Sequence, residues 1–492
     1  MSTSASKVTG SGTVSSSEHG PGLKEGVLDL KDVAFSALAN IGPALSLFFV
    51  LAFIVGSSSG SAPLAIIVGM VAILIVGNSL AQFSRHTPTA GSFVTWIEIG
   101  VGRAIARFTV VVVMLGYLFA LAGVLIAASG TTQLIIGNWS STVGSWVAWL
   151  VLWTVVGLAL VIRGVKLSTN FVVMLFIFES LVLIALGIAI LVGLPAGRAL
   201  TGTPFTWGHA GYAGLAAAFP LVVVFFVGWE NAGALSEETD KPRRNVGMSI
   251  LISVLVAGII AIFVAYAAEE GFTSIGALAA SPAPLDVLAS QYLGGAHAIL
   301  DFAILTSALS LFLAASNSQS RIMFSGGRSG ELPRTLGRTH RKYQTPHVAL
   351  AVFVLAAFAL GAIWTALLHG SVFNFVAVAF TVAPLLLMVV YALLCAAVPV
   401  YYWREHRNEF NWFFHLLLPA GGIALLVNPF YESVKPGPYP LNSVPWATLI
   451  GVVLGVAFAS VRTMAARRTR PPVTGGVASI SVMEGAVGAG GD

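Results

Sequence analysis

Apolar stretches of about 20 residues recur along this chain, separated by short segments that hold nearly all of its lysines and arginines. A stretch of that length crosses the hydrocarbon core of a bilayer as an α-helix, which rises about 1.5 Å per residue and satisfies its backbone hydrogen bonds internally. About twelve can be drawn, at residues 33–56, 62–84, 105–129, 144–163, 168–193, 214–236, 246–268, 297–320, 347–368, 371–400, 412–431 and 442–463. Only 9% of the residues are charged and 57% are hydrophobic, whereas roughly a quarter are charged in soluble domains. A string of soluble domains is therefore excluded. The expectation is one all-α membrane domain over residues 31–464, with polar ends at 1–30 and 465–492 that read as disordered tails. The first end lacks the basic start, apolar core and cleavage site of a signal peptide.

The basic residues fix an expected orientation. If both ends are cytoplasmic, every one of the 25 lysines and arginines except Arg198 and Lys435 falls in a cytoplasmic segment, as the positive-inside bias requires. A net charge of +5 thus reflects topology, and no nucleic-acid partner is expected because no basic stripe stands apart from the loops. The single cysteine, Cys395, lies in an apolar run and supports neither a disulfide framework nor a thiolate metal site.

Two spans carry interruptions. In the first, Asn40-Ile41-Gly42-Pro43-Ala44-Leu45-Ser46 places glycine and proline inside an apolar helix, where proline removes a backbone donor and crowds the preceding turn. In the sixth, Gly228 and Glu230 sit at membrane depth within FFVGWENAG, followed by a dense run of charges. A carboxylate there is costly, by about 3 kcal/mol or more. Unwinding over Val227 to Gly233 would give it backbone groups to bond and open a place for a small polar ligand. Spans one and six are five spans apart and cross the bilayer in opposite directions, as corresponding helices of two inverted halves would.

Some motifs mislead. Gly56-Ser57-Ser58-Ser59-Gly60 matches a hydrolase elbow in letters, but it follows a membrane helix and lacks a partnered Asp and His. Gly326 to Gly330 lacks the phosphate-loop lysine and reads as a cytoplasmic turn. The histidines show no His-x-x-x-His spacing, so no metal is assigned. Asp301 reads as a solvated helix end or an entrance residue, and Asn138-Trp139-Ser140 is a glycosylation sequon.

Three stretches resemble the amino acid, polyamine and organocation (APC) transporter family. The most specific is FVGWENAGALSEETDKPRRNVGMSI at 226–250, similar to that family's sixth span and following loop. HTPTAGSFVTWIEIGVG at 86–102 and SRIMFSGGRSGELPRTLGRTHRKYQTP at 320–346 resemble the loops before span three and after span eight, and KPGPYPLNSVP at 435–445 is a weaker echo. The resemblance implies a LeuT-type fold: two inverted five-helix repeats, two additional helices, and discontinuous helices one and six around a mid-membrane substrate site.

On that frame, the stretch Ile41, Gly42, Pro43, Ala44, Leu45 and Ser46 would form a positive helix end whose unpaired N–H groups, all but proline's, face a substrate carboxylate. Ser46 would add a hydroxyl or bond its own backbone. Carbonyls of Phe225 to Val227 would meet the substrate amine, with Gly228 as the break. Phe225, Phe226 and Trp229 would stack on the ligand, gate it or pack between helices. Tyr117 falls at a position comparable to family substrate contacts, or is a packed tyrosine. Glu230 caps freed backbone or carries a proton. Some family members place a lysine where Glu179 stands, its charge thought to replace a sodium ion between spans one, five and eight. Glu179 is therefore a coupling candidate able to exchange a proton, or a fixed helix contact. Ser307 and Ser310, three apart on one helix face, are alternative sodium ligands.

The function implied is a permease moving an amino acid or related amine by alternating access, driven inward by protons, in the plasma membrane. An amino acid, amine or polyamine antiporter is the nearest variant, and a transport-inactive receptor or sensor the rival of another class. An enzyme is not expected, since no paired ionisable groups converge. No cofactor is expected beyond a proton or sodium gradient. The partners are the small-molecule substrate and the lipid bilayer, and the oligomeric state is left open by the sequence.

Overall fold

A computed structural model describes residues 23–136, 144–163, 165–195, 199–207, 211–368 and 372–468. Asn138, Arg198 and most of both expected tails lie outside these residues. Among the described residues, eleven helices are long and apolar enough to cross a membrane, and the shorter apolar helix Gly144–Ile162 lies where the twelfth is expected. Among the described residues the one β pairing is an isolated bridge between Leu28 and Thr239. The surface is that of a membrane protein: Phe53, Leu181, Ile259 and Ile363 are largely exposed, while Ser307, Ser310, Ser316 and Asn317 of span eight are buried. Water would invert that distribution; lipid permits it.

Residues 23–30, just before the expected domain, also pack against it. Leu23 is buried against Ala90 and Phe324, and Leu28 exchanges backbone bonds with the segment after span six. This piece is too short to show a periodic pattern, so its packing left no trace in the sequence. Asp29 and Asp32 then form a reciprocal capping box that opens the first helix.

Span one is two helices, Leu30–Ile41 and Pro43–Ser58. The break is narrower than the expected Gly42 to Ser46. Gly42 alone leaves the helical region, at φ 57° and ψ 65°, serving as the left-handed cap of one helix and the start of the next. Pro43 is the first residue of the second helix, where its fixed φ suits the turn and its missing N–H leaves no helical bond unmade. Ser46 N–H is already bonded to Gly42 O at 2.9 Å. A Cβ on Gly42 would sit 2.9 Å from Leu311 Cδ1.

Span six is α-helical over Gly211–Phe226, turns through Val227 to Glu230, and regains one helical turn at Asn231–Ala234. Unwinding is thus confined to the first part of the expected Val227 to Gly233 segment. Gly228 has φ 116°, a conformation that L side chains rarely adopt. A Cβ there would also stand 2.5 Å from the carbonyl carbon and oxygen of Asn40. The two interruptions therefore touch, backbone to backbone. Asn40 Nδ2 donates to Gly228 O at 3.4 Å, and Asn231 Nδ2 donates to Ser36 O and Ser36 Oγ at 3.0 and 2.7 Å.

Span eight, Ala298–Arg328, keeps Gly326 and Gly327 in helix, so the expected turn begins only at Ser329. Asp301 lies in its first turn, where a carboxylate favours the helix dipole. The segments rich in lysine and arginine meet on one face. Arg107 forks onto both oxygens of Glu331 at 2.9 and 3.0 Å, and Arg328 onto those of Glu237 at 3.1 and 2.6 Å.

Gly228→Ala should combine backbone strain of about 1–3 kcal/mol with a clash against a main chain that cannot rotate away. Thermal stability of the detergent-solubilised protein should fall clearly below that of Gly233→Ala, whose added methyl meets side-chain atoms only. Equal stability of the two variants would contradict the packing described.

Candidate substrate site

A buried carboxylate dictates the form of the sixth span's turn. Glu230 is 2% exposed, so its four lone-pair directions must be filled from within. Oε2 reaches back to accept the Gly228 N–H at 3.0 Å. Oε1 accepts the hydroxyl of Tyr391 at 2.6 Å and that of Tyr117. Tyr117 comes from span three, Arg103–Ile136, and Tyr391 from span ten, Phe373–Glu405. One side chain thus ties the turn to two neighbouring helices. Tyr391 was not singled out by the sequence, since a tyrosine in an apolar run carries no spacing signal.

Beside this knot lies a cavity of about 50 Å³. Asn40, Ile41, Ser46 and Val50 of span one line it together with Tyr117, Ala120 and Val124 of span three and Val224 and Val227 of span six. Leu311 and Ala315 of span eight and Phe380, Ala383 and Pro384 of span ten complete the wall. Of the residues expected at the site, Ile41, Ser46, Tyr117 and Val227 border this cavity. Gly42, Pro43, Ala44, Leu45, Phe225, Phe226, Gly228 and Trp229 are not among its lining residues. Phe225 and Phe226 pack edge to face on each other, centroids 4.9 Å apart, and Phe226 reaches toward Gly258 of span seven. Trp229 packs against Tyr391 at 5.5 Å. The register of span six puts valines, three residues apart, where the phenylalanines were expected.

The positive end of the second half of span one is also placed differently. Its N–H groups are not unpaired: Gly42 bonds Leu38 O at 3.2 Å, Ala44 bonds Glu179 Oε2 at 3.2 Å, and Leu45 bonds Ser307 Oγ at 3.2 Å. A buried donor without a partner costs about 1–3 kcal/mol, which is why this end recruits side chains. Ser46 lines the cavity and at the same time donates its hydroxyl to Ile41 O at 2.7 Å.

Glu179, Ser307 and Ser310, weighed as separate coupling elements, converge on this one point between spans one, five and eight. Glu179 is fully buried. Its Oε2 caps Ala44, its Oε1 has no hydrogen-bond partner among the described residues, and the hydroxyls of Ser307 and Ser310 flank the carboxyl. Ser310 itself donates to Ser307 O at 2.9 Å.

The segment after span six is tied to the last turns of span eight. Arg321 and Glu238 form an ion pair with both partners buried, and Arg321 also donates to Asn317 O. Breaking such a pair strands a charge in a dry interior.

The three hydrogen bonds on Glu230 yield a ranked expectation. Glu230→Leu leaves the Gly228 N–H and two phenols without their acceptor, each worth about 1–3 kcal/mol. Tyr391→Phe removes one donor and leaves two, for about 1 kcal/mol. Melting in detergent should drop several times further for the first than for the second; comparable drops would remove Glu230 from its central place.

Comparison with known proteins agrees with this architecture. The chain is 27% identical to the low-affinity putrescine importer PlaP of Escherichia coli K12 over 449 residues, 88% of this chain and 94% of the importer. The branched-chain amino acid permease BcaP of Bacillus subtilis is 29% identical over 154 residues, 31% of this chain and 33% of that protein. The aromatic amino acid transport protein AroP of Corynebacterium glutamicum is 27% identical over 183 residues, 35% and 38% of the two chains. A sequence model described as amino acid permease matches residues 28–458, the span that holds both broken helices and the cavity, and the chain belongs to that family of membrane transporters, not of enzymes.

Proposed function

We propose that this permease takes up an amino acid with an apolar side chain, or a related amine, by alternating access, coupled to proton entry. The observation that carries the reading is the meeting of two interrupted helices beside a cavity that both of them line. A small zwitterion needs polar partners at one end and an apolar wall around the rest. Asn40, Ser46 and Tyr117 offer the polar edge; Val50, Val124, Leu311 and Phe380 offer the wall. Gly42 to Leu45, Phe225, Phe226, Gly228 and Trp229 hold the shape of the break from behind.

The names of the relatives span a diamine and apolar amino acids. The wall favours the latter. The oxygens of Glu230 already accept three hydrogen bonds, so a second ammonium group would find no uncommitted carboxylate at the cavity. The two inverted repeats of the LeuT-type fold, a plasma-membrane location and cytoplasmic termini complete the reading, the last supported by the distribution of lysine and arginine.

Coupling is assigned to Glu179. As a carboxylate it holds the N-terminal turn of the second half of span one through Ala44 N–H and the helix dipole; on protonation that attraction weakens and the half-helix is released to move. Its unpartnered oxygen is the place for the proton. Ser307 and Ser310 then tune the carboxyl, where a sodium-coupled transporter would use them as ligands.

Reconstituted vesicles test both parts. With labelled leucine, phenylalanine and putrescine under imposed gradients, an inward proton gradient should drive accumulation of an amino acid and a sodium gradient should not. Glu179→Gln should abolish accumulation while sparing exchange across the membrane. Unchanged accumulation would remove the coupling role, and no transport of any compound under any gradient would remove the permease reading for this panel.

A further inference from the structure

Far from the cavity, on the face rich in lysine and arginine, three ligand-type side chains that are distant in sequence come together. His86 ends span two, Ala62–His86; His406 caps span ten; Glu409 lies in the short turn Arg407–Glu409. One ring nitrogen of each histidine and one carboxylate oxygen of Glu409 all lie within 4.8 Å of one another. His86 Nε2 is 3.3 Å from Glu409 Oε2, and the two imidazoles face each other with centroids 4.0 Å apart.

The surroundings hold these groups in place. Glu409 N–H bonds His406 O at 2.9 Å, fixing the turn that presents both residues. Tyr401 Oη stands 2.9 Å from His406 Nε2, and the ring of Tyr402 meets His86 edge to face at 5.6 Å. A hydrogen-bond partner on a histidine ring is what orients such a ring in metal sites. The cluster is open to water on the Glu409 side, whose side chain is 61% exposed.

From these positions we propose that His86, His406 and Glu409 bind a transition-metal ion of the Zn²⁺ class, tying the end of span two to the turn between spans ten and eleven. Two imidazoles and a carboxylate form a donor set that suits zinc and leaves a fourth position for water. Zinc–donor bonds of about 2.0–2.1 Å put tetrahedral neighbours about 3.4 Å apart. The His86–Glu409 separation already meets that spacing, and the remaining closure needs rotation about histidine χ2, which is soft. Arg85 and Arg243 lie near His86, so an ion must gain strongly from nitrogen bonding to enter. Hard oxygen-seeking cations such as Mg²⁺ and Ca²⁺ do not. The histidine spacing along the chain gives no metal motif because the donors meet only through the packing of span two on span ten.

Titration calorimetry on the full chain in detergent, affinity tag removed, tests the site. ZnCl₂ should bind saturably at one ion per chain, and MgCl₂ should not. His406→Ala and Glu409→Gln should each weaken zinc by about tenfold or more, at least the effect of losing an orienting partner, while His347→Ala, in a separate histidine pair, should leave it unchanged. Melting curves matching the parent in the absence of zinc show that the variants are folded. Absent saturable binding, binding unaffected by both ligand variants, or equal loss in His347→Ala would overturn the proposal and leave a histidine–glutamate contact.

Discussion

The backbone of Gly228 lies against the backbone of Asn40, closer than any side chain would permit, and the rest of the membrane domain is arranged to keep it there. Two main chains approach this closely only where no Cβ projects into the gap. Gly228, at positive φ and without a side chain, lets the last turn of the first half of span one come against it. Asn40 and Asn231 then bind the two broken helices to each other in both directions.

Each break has its own carboxylate, and the two do different work. Both oxygens of Glu230 are committed: donors from its own turn and from two neighbouring helices converge on it, so it acts as a fixed post for the turn of span six. Glu179 has a spare oxygen and caps a helix end by one long hydrogen bond. In a low-dielectric interior a carboxylate with every oxygen committed resists change, and one with an uncommitted oxygen can switch between states. On the proposed reading that contrast favours Glu179 over Glu230 for coupling, where the sequence offered both. At the arginine-rich face, the buried Arg321–Glu238 pair and the Arg328–Glu237 fork join the segment after span six to the end of span eight. All four residues fall in the stretches 226–250 and 320–346, whose sequences resemble the transporter family.

Most of the architecture was legible because bilayer thickness imposes it: the apolar runs, the count of spans and the location of both breaks follow from composition and from glycine, proline and a stranded charge. The extent of each break was not. Proline at the first position of a helix looks in sequence like proline within one, so the opening at Gly42 read as five residues long. The helix end expected to offer free N–H groups is capped by Glu179 and Ser307, residues more than a hundred positions away. Helical register was the other gap. Tyr117, Ala120 and Val124 share one face of span three and could have been extrapolated from Tyr117, whereas Val224, Leu311 and Phe380 carry no mark that separates a cavity wall from a packed core.

The central claim is that the cavity between the broken helices holds the substrate. The single cysteine, Cys395, is buried, so replacing it by alanine gives a thiol-free background into which Ala315→Cys, on the cavity wall, can be introduced. The rate at which a small cationic thiol reagent labels that position in vesicles should fall severalfold when the transported compound is added, and should be unaltered by a compound that is not transported. Labelling at the same rate with and without a compound that the variant still transports would place the substrate elsewhere and contradict the account.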